Sequence, residues 1–327
     1  MSDKTGGSRP PLVVLAGGLA KRFGGCKPLA PVGLHGEAVI DLTASDALAA
    51  GFGEIVMVLG PQTAPAIRYH VGRCWPRSVQ VASTVQPVPL GTAHAVLCAR
   101  PLLPKGPFAV VNADDVYGVP ALELLAMELS KAADEQAGLS GPEARAAIAA
   151  EHMLVSFALS DTVVTHEPVT RGTCVVGPDG HLSAIVERRR VTMHPDGRFT
   201  SDDGLEPGEI PGETPVSVNL WGFAEAIWPV LEAAVTAAYP QVAPDGSVAG
   251  DGVANDGPEV LLPEVVGGLL DGGGGPGGGP AHRVKVLEGP GRCLGVTHAD
   301  DLPVVRSELA TMVGQGIRPE GIWEGAG

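Results

Sequence analysis

The chain has 327 residues, of which 44% are hydrophobic and only 4% aromatic, so its core must be built mainly from Ala, Val and Leu. A formal net charge of −15 disfavours contact with a phosphate backbone and argues against a nucleic-acid-binding protein. Five scattered cysteines without a C-x-x-C pair, a polar start and the absence of any long apolar run argue against a disulfide framework, a thiolate zinc site, a signal peptide and a membrane span.

The first half of the chain alternates apolar, β-branched runs with helical stretches. Strands are predicted over 11–16, 54–59, 78–85 and 108–112, and helices over 38–50, 92–100 and 121–133. This alternation predicts an α/β fold with a doubly wound, mostly parallel sheet, whose ligands bind beyond the carboxyl ends of the strands. A glycine loop follows the first strand and Asp114-Asp115 follows the fourth, so both lie at such ends.

The second half has the pattern of an additional small β-rich subregion. Strands are predicted over 153–159, 172–176, 182–187 and 216–223, with a turn at 177–180 and a helix over 224–238. We expect a disordered N-terminus over 1–10 and one domain over 11–323, in a protein of the cytoplasm. This domain would comprise a first half over 11–135 and a second half over 150–323, with Gly-rich insertions near 244–258 and 271–280.

The glycine loop is the first stretch that indicates chemistry. Residues 15–29, LAGGLAKRFGGCKPL, place backbone N–H groups directly after a strand, where triphosphate oxygens can bind. Lys21, Arg22 and Lys27 add positive charge within an acidic chain, which favours phosphate binding over an ordinary strand–loop–helix turn. A P-loop is excluded because the sequence contains no Gly-Lys pair.

This loop resembles the signature of the sugar-phosphate nucleotidyltransferases, the pyrophosphorylases that make nucleotide sugars, usually written L-A-[AG]-G-x-G-x-R followed by Lys-Pro. Arg22 and Lys27 match the pattern, whereas Ala20 stands at its second glycine. The resemblance implies a Rossmann-like, GT-A type sheet whose β-rich subregion binds the sugar. It also implies that the nucleotide is bound by the residues of the loop, namely Leu15, Ala16, Gly17, Gly18 and Lys21.

Residues 86–95, QPVPLGTAHA, resemble the nucleobase-reading segment of the same family, in the Q-x-x-x-L-G-T-[AG]-H-A form of the uridylyltransferases. The resemblance implies that Gln86 bonds the base edge, that Gly91 lets the backbone approach the ring, and that Thr92 begins the next helix. A pyrimidine nucleotide such as UTP is therefore favoured. Taken alone, Gly-Thr before a helix is a generic N-cap.

Residues 110–118, VVNADDVYG, end a predicted strand in two carboxylates, which suits Mg²⁺ because this ion takes one or two carboxylates plus substrate phosphates. In the resemblance, Asp114 corresponds to the metal-binding Asp of G-D-x-x-Y-G, and Asp115 is a second candidate ligand. Asn112, just before them, is a candidate nucleotide contact. A solvated Asp-Asp turn is the structural alternative.

Weaker matches supply candidates for the sugar phosphate. Glu187 matches a Glu-Lys strand end that holds sugar hydroxyls, and Asn219 matches the [AV]-N-x-G-[IL]-[YF] strand. Arg171 is a candidate phosphate contact, or else a solvated loop arginine. Glu259 lacks the following Asp that many relatives use as a second metal ligand, which Thr297 or Asp300 could replace. The motifs N-A-D-D-[FV]-Y-G, V-S-[MV]-N-L-W-G-F and L-L-P-x-V-V resemble one bacterial branch of the family.

The resemblance implies a Mg²⁺-dependent enzyme that transfers a nucleoside monophosphate from an NTP to a sugar 1-phosphate or a similar acceptor and releases pyrophosphate. Its catalytic residues would be Arg22, Lys27 and Asp114. Three alternatives stay open. A GT-A glycosyltransferase would consume a nucleotide sugar, but its usual D-x-D is missing from the fourth strand. An inactive nucleotide-sugar sensor is supported by Ala20, and the acceptor could instead be an alcohol or cyclitol phosphate.

Overall fold

Four parallel strands form the first half of a computed structural model of the chain, which describes residues 9–18, 25–248, 257–271 and 281–323. The strands lie in the order β3-β2-β1-β4, with β4 on the opposite side of β1 from β2. Because parallel crossovers are nearly always right-handed, this order places helices on both faces of the sheet. Their bounds are β1 (Leu12–Ala16), β2 (Ile55–Leu59), β3 (Val81–Val85) and β4 (Phe108–Asn112).

Helices cover both faces of this sheet, as the doubly wound prediction requires. They are α1 (Val39–Ala49), α2 (Ala64–Cys74), α3 (Thr92–Ala99) and α4 (Val119–Gly138). Successive strand side chains point to opposite faces. Leu12 and Val14 therefore pack with α1, α2 and α4, whereas Val13 packs with α3. The sequence pattern missed α2, in which only Ala64, Ile67 and Val71 are buried among polar or exposed residues.

Antiparallel strands extend the sheet into the second half. The strands that follow β4 are β5 (Asp115–Val116), β6 (Glu151–Ala158), β7 (Val169–Val176), β8 (Leu182–Met193), β9 (Phe199–Ser201), β10 (Glu209–Ile210), β11 (Pro215–Ser217), β12 (Trp221–Phe223), β13 (Arg283–Glu288) and β14 (Leu294–Gly295). The sheet runs β10-β9-β8-β7-β11-β6-β12-β4 into the parallel strands, and β13 pairs with β6 in parallel orientation. Strands β5 and β14 form a separate two-stranded antiparallel sheet.

Four further helices pack around these strands. They are α5 (Pro142–Ala149), α6 (Ile227–Ala238), α7 (Leu262–Asp271) and α8 (Asp301–Gly314). No helix within the described ranges is both long and apolar enough to cross a membrane. Residues 1–8, 249–256 and 272–280, which carry most of the predicted N-terminal tail and of the Gly-rich insertions, lie outside the described residues.

The single strand predicted over 216–223 is wrong. The structure divides it into β11 and β12, which are separated by three residues. Asn219 lies between them with a φ of 61°, in the left-handed region that Asn tolerates better than most residues. The side-chain carbonyl of Asn219 accepts a hydrogen bond from Trp221 Nε1 at 3.0 Å, which stabilises the break.

Strand β12 joins the two halves because it pairs antiparallel with both β4 and β6. Gly222 lies at its centre, directly beneath α4. A Cβ added to Gly222 would lie 2.8 Å from Leu125 Cδ1 and 3.0 Å from Leu129 Cδ2. This position therefore needs glycine for packing, because α4 would have to move to admit a side chain.

We expect Gly222→Val to lower the free energy of unfolding by about 1–3 kcal/mol, since it overpacks the contact with α4. Urea denaturation measures the effect as a lower midpoint. Gly72→Ala is the matched control, because Gly72 lies in α2 with nothing near its added Cβ, and alanine favours a helix. A Gly222→Val midpoint at or above that of the wild type would contradict this packing.

Candidate active site

Three adjoining cavities open at the carboxyl ends of β1 and β4. The central cavity has a volume of about 310 Å³ and is lined by the start of the glycine loop and by the base segment. The lysine cavity, of about 140 Å³, shares Leu15, Gly18 and Asp114 with it. The arginine cavity, of about 100 Å³, shares Thr92, Asn112 and Asn219 with it. The shared walls make the three cavities one continuous cleft.

The glycine loop begins at the floor of this cleft. Gly18 lines both the central and lysine cavities, and Leu15 and Ala16 precede it at the end of β1. A Cβ on Gly17 would lie 2.7 Å from Gln86 Oε1, so a side chain there would displace the glutamine. Lys21 and Arg22, together with Ala20, fall within 19–24 and lie outside the described residues.

Lys27 and Asp114 form an ion pair in the lysine cavity. Lys27 Nζ lies 3.6 Å from Asp114 Oδ2, and the two side chains are 18% and 36% exposed. Lys27 begins a 3-10 turn whose next residue, Pro28, is buried and fixes the direction of the chain. Burial raises the pKa of Asp114, whereas Lys27 opposes that rise. The pair therefore offers a cation and a carboxylate beside the glycine loop.

Asp115 is held on the other side of the same strand end. Its Oδ2 accepts a hydrogen bond from Asn112 Nδ2 at 3.0 Å, and its Oδ1 lies 2.6 Å from where a Cβ of Gly295 would stand. Tyr117 Oη lies 3.4 Å from the same Oδ2. Asp115 lines the arginine cavity, whereas Asp114 lines the other two. The two candidate metal ligands thus face different parts of the cleft.

The three residues predicted to bind the sugar phosphate lie together in the arginine cavity. Arg171 donates from Nε and Nη2 to the side chain and carbonyl of Thr162, at 3.0 and 2.6 Å, and from Nη1 to Thr170 O at 2.8 Å. These bonds use three of its five N–H groups and fix the guanidinium plane. Glu187 and Asn219 line the same cavity, so the structure assembles all three candidates.

Glu187 is a half-buried carboxyl on β8. Burial and then the neighbouring Glu264 raise its pKa, whereas Arg189 and Arg171 oppose the rise. The next residue, Arg188, points away and forms a buried ion pair with Asp203 at 2.8 Å. Of the Glu187-Arg188 pair that matches the family's Glu-Lys strand end, only Glu187 therefore faces the cleft.

The base segment lines the central cavity through Gln86, Gly91 and Thr92. Gly91 has a φ of 106°, and a Cβ there would lie 2.4 Å from Val260 O, so the close approach that requires glycine is to the protein's own backbone. Thr92 begins α3 as expected, and its hydroxyl oxygen accepts a hydrogen bond from Leu262 N, the first residue of α7, at 2.8 Å.

The late segment returns to the site through its backbone. Strand β14 pairs with β5, and Val296 N donates to Asp114 O at 2.9 Å. Among the described residues, neither Thr297 nor Asp300 lines any of the three cavities, and Asp300 is exposed. Gly295 matters to the site because it has no side chain, which leaves room for the carboxylate of Asp115. The sequence analysis did not identify this position.

Sequence reasoning also missed His94 and Tyr117, which lie inside two of the recognised motifs but were assigned no role. His94 is fully buried behind Gln86, and Tyr117 is fully buried beneath Asn112. The available signal was position. A histidine two residues after the helix start, and a tyrosine two residues after an acidic pair, are placed to contact the residues before them.

Comparisons with known proteins agree with this geometry. Residues 12–146 match the family model described as nucleotidyl transferase. UTP–glucose-1-phosphate uridylyltransferases of Escherichia coli K12 and O157:H7 are each 26% identical over 167 residues, which cover 51% of this chain and 48% of each relative. The chain thus spans about half the length of the curated relatives it matches.

A solved structure, the inositol-1-phosphate CTP transferase from T. maritima, has a similar fold. The two share a TM-score of 0.58 at 14% sequence identity, with 95% of this chain and 98% of that chain covered. This likeness confirms the Rossmann-like, mixed α/β fold class. The family model and the curated relatives support the family predicted from the glycine loop and the two motifs that follow it.

Asp115 should make stability depend on pH. Burial and then Asp114 raise its pKa to about 6, whereas aspartate in an unfolded chain titrates near about 4. The folded protein therefore binds this proton more tightly, so the carboxyl lowers the free energy of unfolding as pH rises from about 4 to about 6. Above about pH 6 the contribution of Asp115 to the free energy of unfolding is constant and unfavourable.

We expect Asp115→Asn to flatten this part of the pH profile and to be more stable than the wild type at about pH 8. Its side-chain oxygen can still accept from Asn112. Urea titrations between about pH 4 and pH 8 measure the slope, with exposed Asp300→Asn as the control that should keep it. An unchanged slope in Asp115→Asn would rule out this carboxyl as its source.

Proposed function

We propose that the chain is a nucleotidyltransferase that transfers a nucleoside monophosphate from an NTP to a sugar 1-phosphate or a similar phosphate acceptor and releases pyrophosphate. One observation carries the proposal. The ion pair of Lys27 and Asp114 lies where the lysine cavity meets the central cavity, which is walled by the glycine loop and the base segment. The central cavity in turn adjoins the arginine cavity, which holds an anchored arginine. Two phosphate compounds could meet there.

The nucleotide would occupy the central and lysine cavities. Gln86 and Thr92 wall the base end, and Gly18 and Lys27 wall the phosphate end. In so acidic a chain, a phosphate site needs its own local cation and backbone N–H groups, which this strand end supplies. A UTP-like pyrimidine nucleotide is our preferred substrate. The uridylyltransferases and the CTP transferase that the chain resembles are also named for pyrimidine nucleotides.

The acceptor would occupy the arginine cavity. Arg171 is fixed by three hydrogen bonds and can direct its remaining N–H groups at a phosphate. Glu187 and Asn219 present acceptor and donor atoms suited to hydroxyl groups. A polyol phosphate, whether a sugar or a cyclitol, fits this combination of one cation and several neutral or acidic partners.

The reaction would be an in-line attack of the acceptor's phosphate oxygen on the α-phosphorus, with pyrophosphate as the leaving group. No protein nucleophile is required, so the residues act by positioning and by neutralising charge. Lys27 would stabilise the charge that develops on the α-phosphate. Arg22 would hold the β- and γ-phosphates.

The carboxylates suit Mg²⁺, which binds one or two of them together with substrate phosphates. Asp114 fits best, because its carboxylate lines both nucleotide cavities. Within the described ranges, no group of three or more His, Cys, Asp or Glu side chains could hold a metal ion. When bound, the ion would neutralise phosphate charge. Asp115, held by Asn112, would support Asp114 or complete the site.

Lys27→Ala and Asp114→Ala should each reduce kcat/KM for pyrophosphate release by roughly a hundredfold or more, because one charge contact in the transition state is worth about 3 kcal/mol. A coupled pyrophosphate assay measures the loss. Lys131→Ala, at an exposed position on α4, is the matched control and should retain wild-type rates. Full activity in either active-site variant would refute the mechanism.

Arg171→Gln should raise KM for the acceptor roughly tenfold to a hundredfold and leave KM for the NTP nearly unchanged, since a hydrogen bond to a charged group contributes about 1.5–3 kcal/mol. Initial rates with each substrate varied in turn separate the two constants. The control is Arg190→Gln, an exposed arginine of β8 paired with Asp202. A larger effect on the NTP than on the acceptor would assign Arg171 to the nucleotide instead.

A substrate panel tests the function as a whole. The four NTPs are each combined with several sugar 1-phosphates and an inositol phosphate, with Mg²⁺, and pyrophosphate is detected. Release that needs both an NTP and an acceptor supports the proposal. Consumption of a nucleotide sugar without NTP would favour a glycosyltransferase, and tight nucleotide binding without turnover would favour a sensor.

A further inference from the structure

His94 lies behind the base end of the central cavity and takes no part in the mechanism above. It is 0% exposed, in α3, between Gln86 and the turn at 243–247. Its Nδ1 lies 3.2 Å from Gln86 Nε2, and its Nε2 lies 2.9 Å from Gly246 O. The imidazole therefore connects the predicted base-reading side chain to the described part of a Gly-rich insertion.

The carbonyl of Gly246 determines where the ring proton lies. A carbonyl only accepts hydrogen bonds, so the Nε2 of His94 must carry the hydrogen that points at it. Burial is the largest influence on the pKa of His94 and lowers it, against opposing contributions from the backbone at Gly246 and Val88, which favours the neutral ring with a single proton. Its Nδ1 is then an acceptor.

The same reasoning fixes the amide of Gln86. Its Nε2 lies 3.0 Å from Gly91 O and 3.2 Å from His94 Nδ1, and both of these atoms accept. Both amide hydrogens are therefore committed inside the protein. The remaining polar atom, Oε1, lies against Gly17, another residue of the cavity wall. The hydrogen bonds run from Gly91 O through Gln86 Nε2 and the ring of His94 to Gly246 O. Because both ends are carbonyl oxygens, exchanging the oxygen and nitrogen of the amide would bring acceptors together.

Packing holds the Gly246 carbonyl in place. Gly246 has a φ of 77°, and a Cβ there would lie 2.7 Å from Cys98 Sγ and 2.9 Å from Cys98 N. Its own N–H donates to Ala243 O at 2.9 Å, which closes the turn. A side chain at this position would force the turn away from α3 and withdraw the carbonyl from His94.

We propose that His94 is a positioning residue that fixes the Gln86 amide with its carbonyl toward the nucleotide. The site would then select bases that present an N–H to this carbonyl, and would therefore prefer uracil to cytosine. This inference rests on the proposed nucleotide site but not on the acceptor or on turnover. Uracil carries a hydrogen at N3, whereas N3 of cytosine is an acceptor and would face a carbonyl without a hydrogen. The two rings have the same size, so the comparison isolates hydrogen bonding.

The test measures dissociation constants of UTP and CTP with Mg²⁺ by titration calorimetry, on the full chain and without acceptor. We expect the wild type to bind UTP at least about tenfold more tightly than CTP. In His94→Phe the amide keeps Gly91 O as an acceptor but loses its second one, so its orientation is held less firmly and the preference should fall at least about threefold. Gly246→Ala should also reduce the preference for UTP over CTP, because it withdraws the carbonyl that fixes the ring proton while the imidazole itself remains.

Cys98→Ala is the matched control. It removes the other side chain that touches Gly246, at 3.7 Å from the carbonyl, without removing an amide partner, and should keep the wild-type preference. A wild type that prefers CTP, or a folded His94→Phe that keeps the preference for UTP, would overturn the proposal. Gly246→Ala decides the question if His94→Phe does not fold. Failure of the wild type to bind any NTP would instead refute the nucleotide site itself.

Discussion

The hydroxyl of Tyr117 holds the two halves of the cleft in register. It accepts a hydrogen bond from Asn112 N at 3.0 Å and donates to Val218 O at 2.8 Å, so it joins the end of β4 to the break between β11 and β12. Since the side chain is fully buried, neither bond competes with water. The separation between the glycine loop and the arginine cavity depends on this connection.

Around that hydroxyl, amide and carboxyl groups continue the network. Asn112 Nδ2 donates to Asp115, and Asn219 Nδ2 lies 3.5 Å from Asn112 Oδ1. Charges are then placed at the two ends, with Lys27 beside Asp114 and Arg171 bound to Thr162. A strongly acidic protein thus concentrates a few fixed cations where phosphate compounds would bind, and the rest of its surface repels them.

Much of this could be predicted from the sequence. The four parallel strands and three of their four helices follow from alternation of apolar runs, and the positions of Lys27, Gln86 and Asp114 follow from motifs at strand ends. Local patterns do not reveal contacts between distant segments. Nothing near Gly91 in the sequence indicates that Val260 occupies the space of its missing Cβ, and nothing near Asp115 indicates Gly295.

The error over 216–223 has a related cause. An apolar run predicts a strand, but the buried Trp221 needs an acceptor for its indole N–H, and Asn219 supplies one only by leaving the extended conformation. His94 was missed because its role depends on a carbonyl about 150 residues away in the chain. Buried polar groups find partners in the folded structure, so their functions become visible only there.

The central claim is transfer of the nucleotidyl group, and the fate of the α-phosphate tests it most directly. An NTP labelled at that phosphate is incubated with Mg²⁺ and a mixture of sugar and cyclitol phosphates, and the products are separated. The account predicts that the label appears in a compound joined to the acceptor, in step with the pyrophosphate released. Label recovered only in unreacted NTP or in free nucleoside monophosphate, for all four nucleotides, would contradict it.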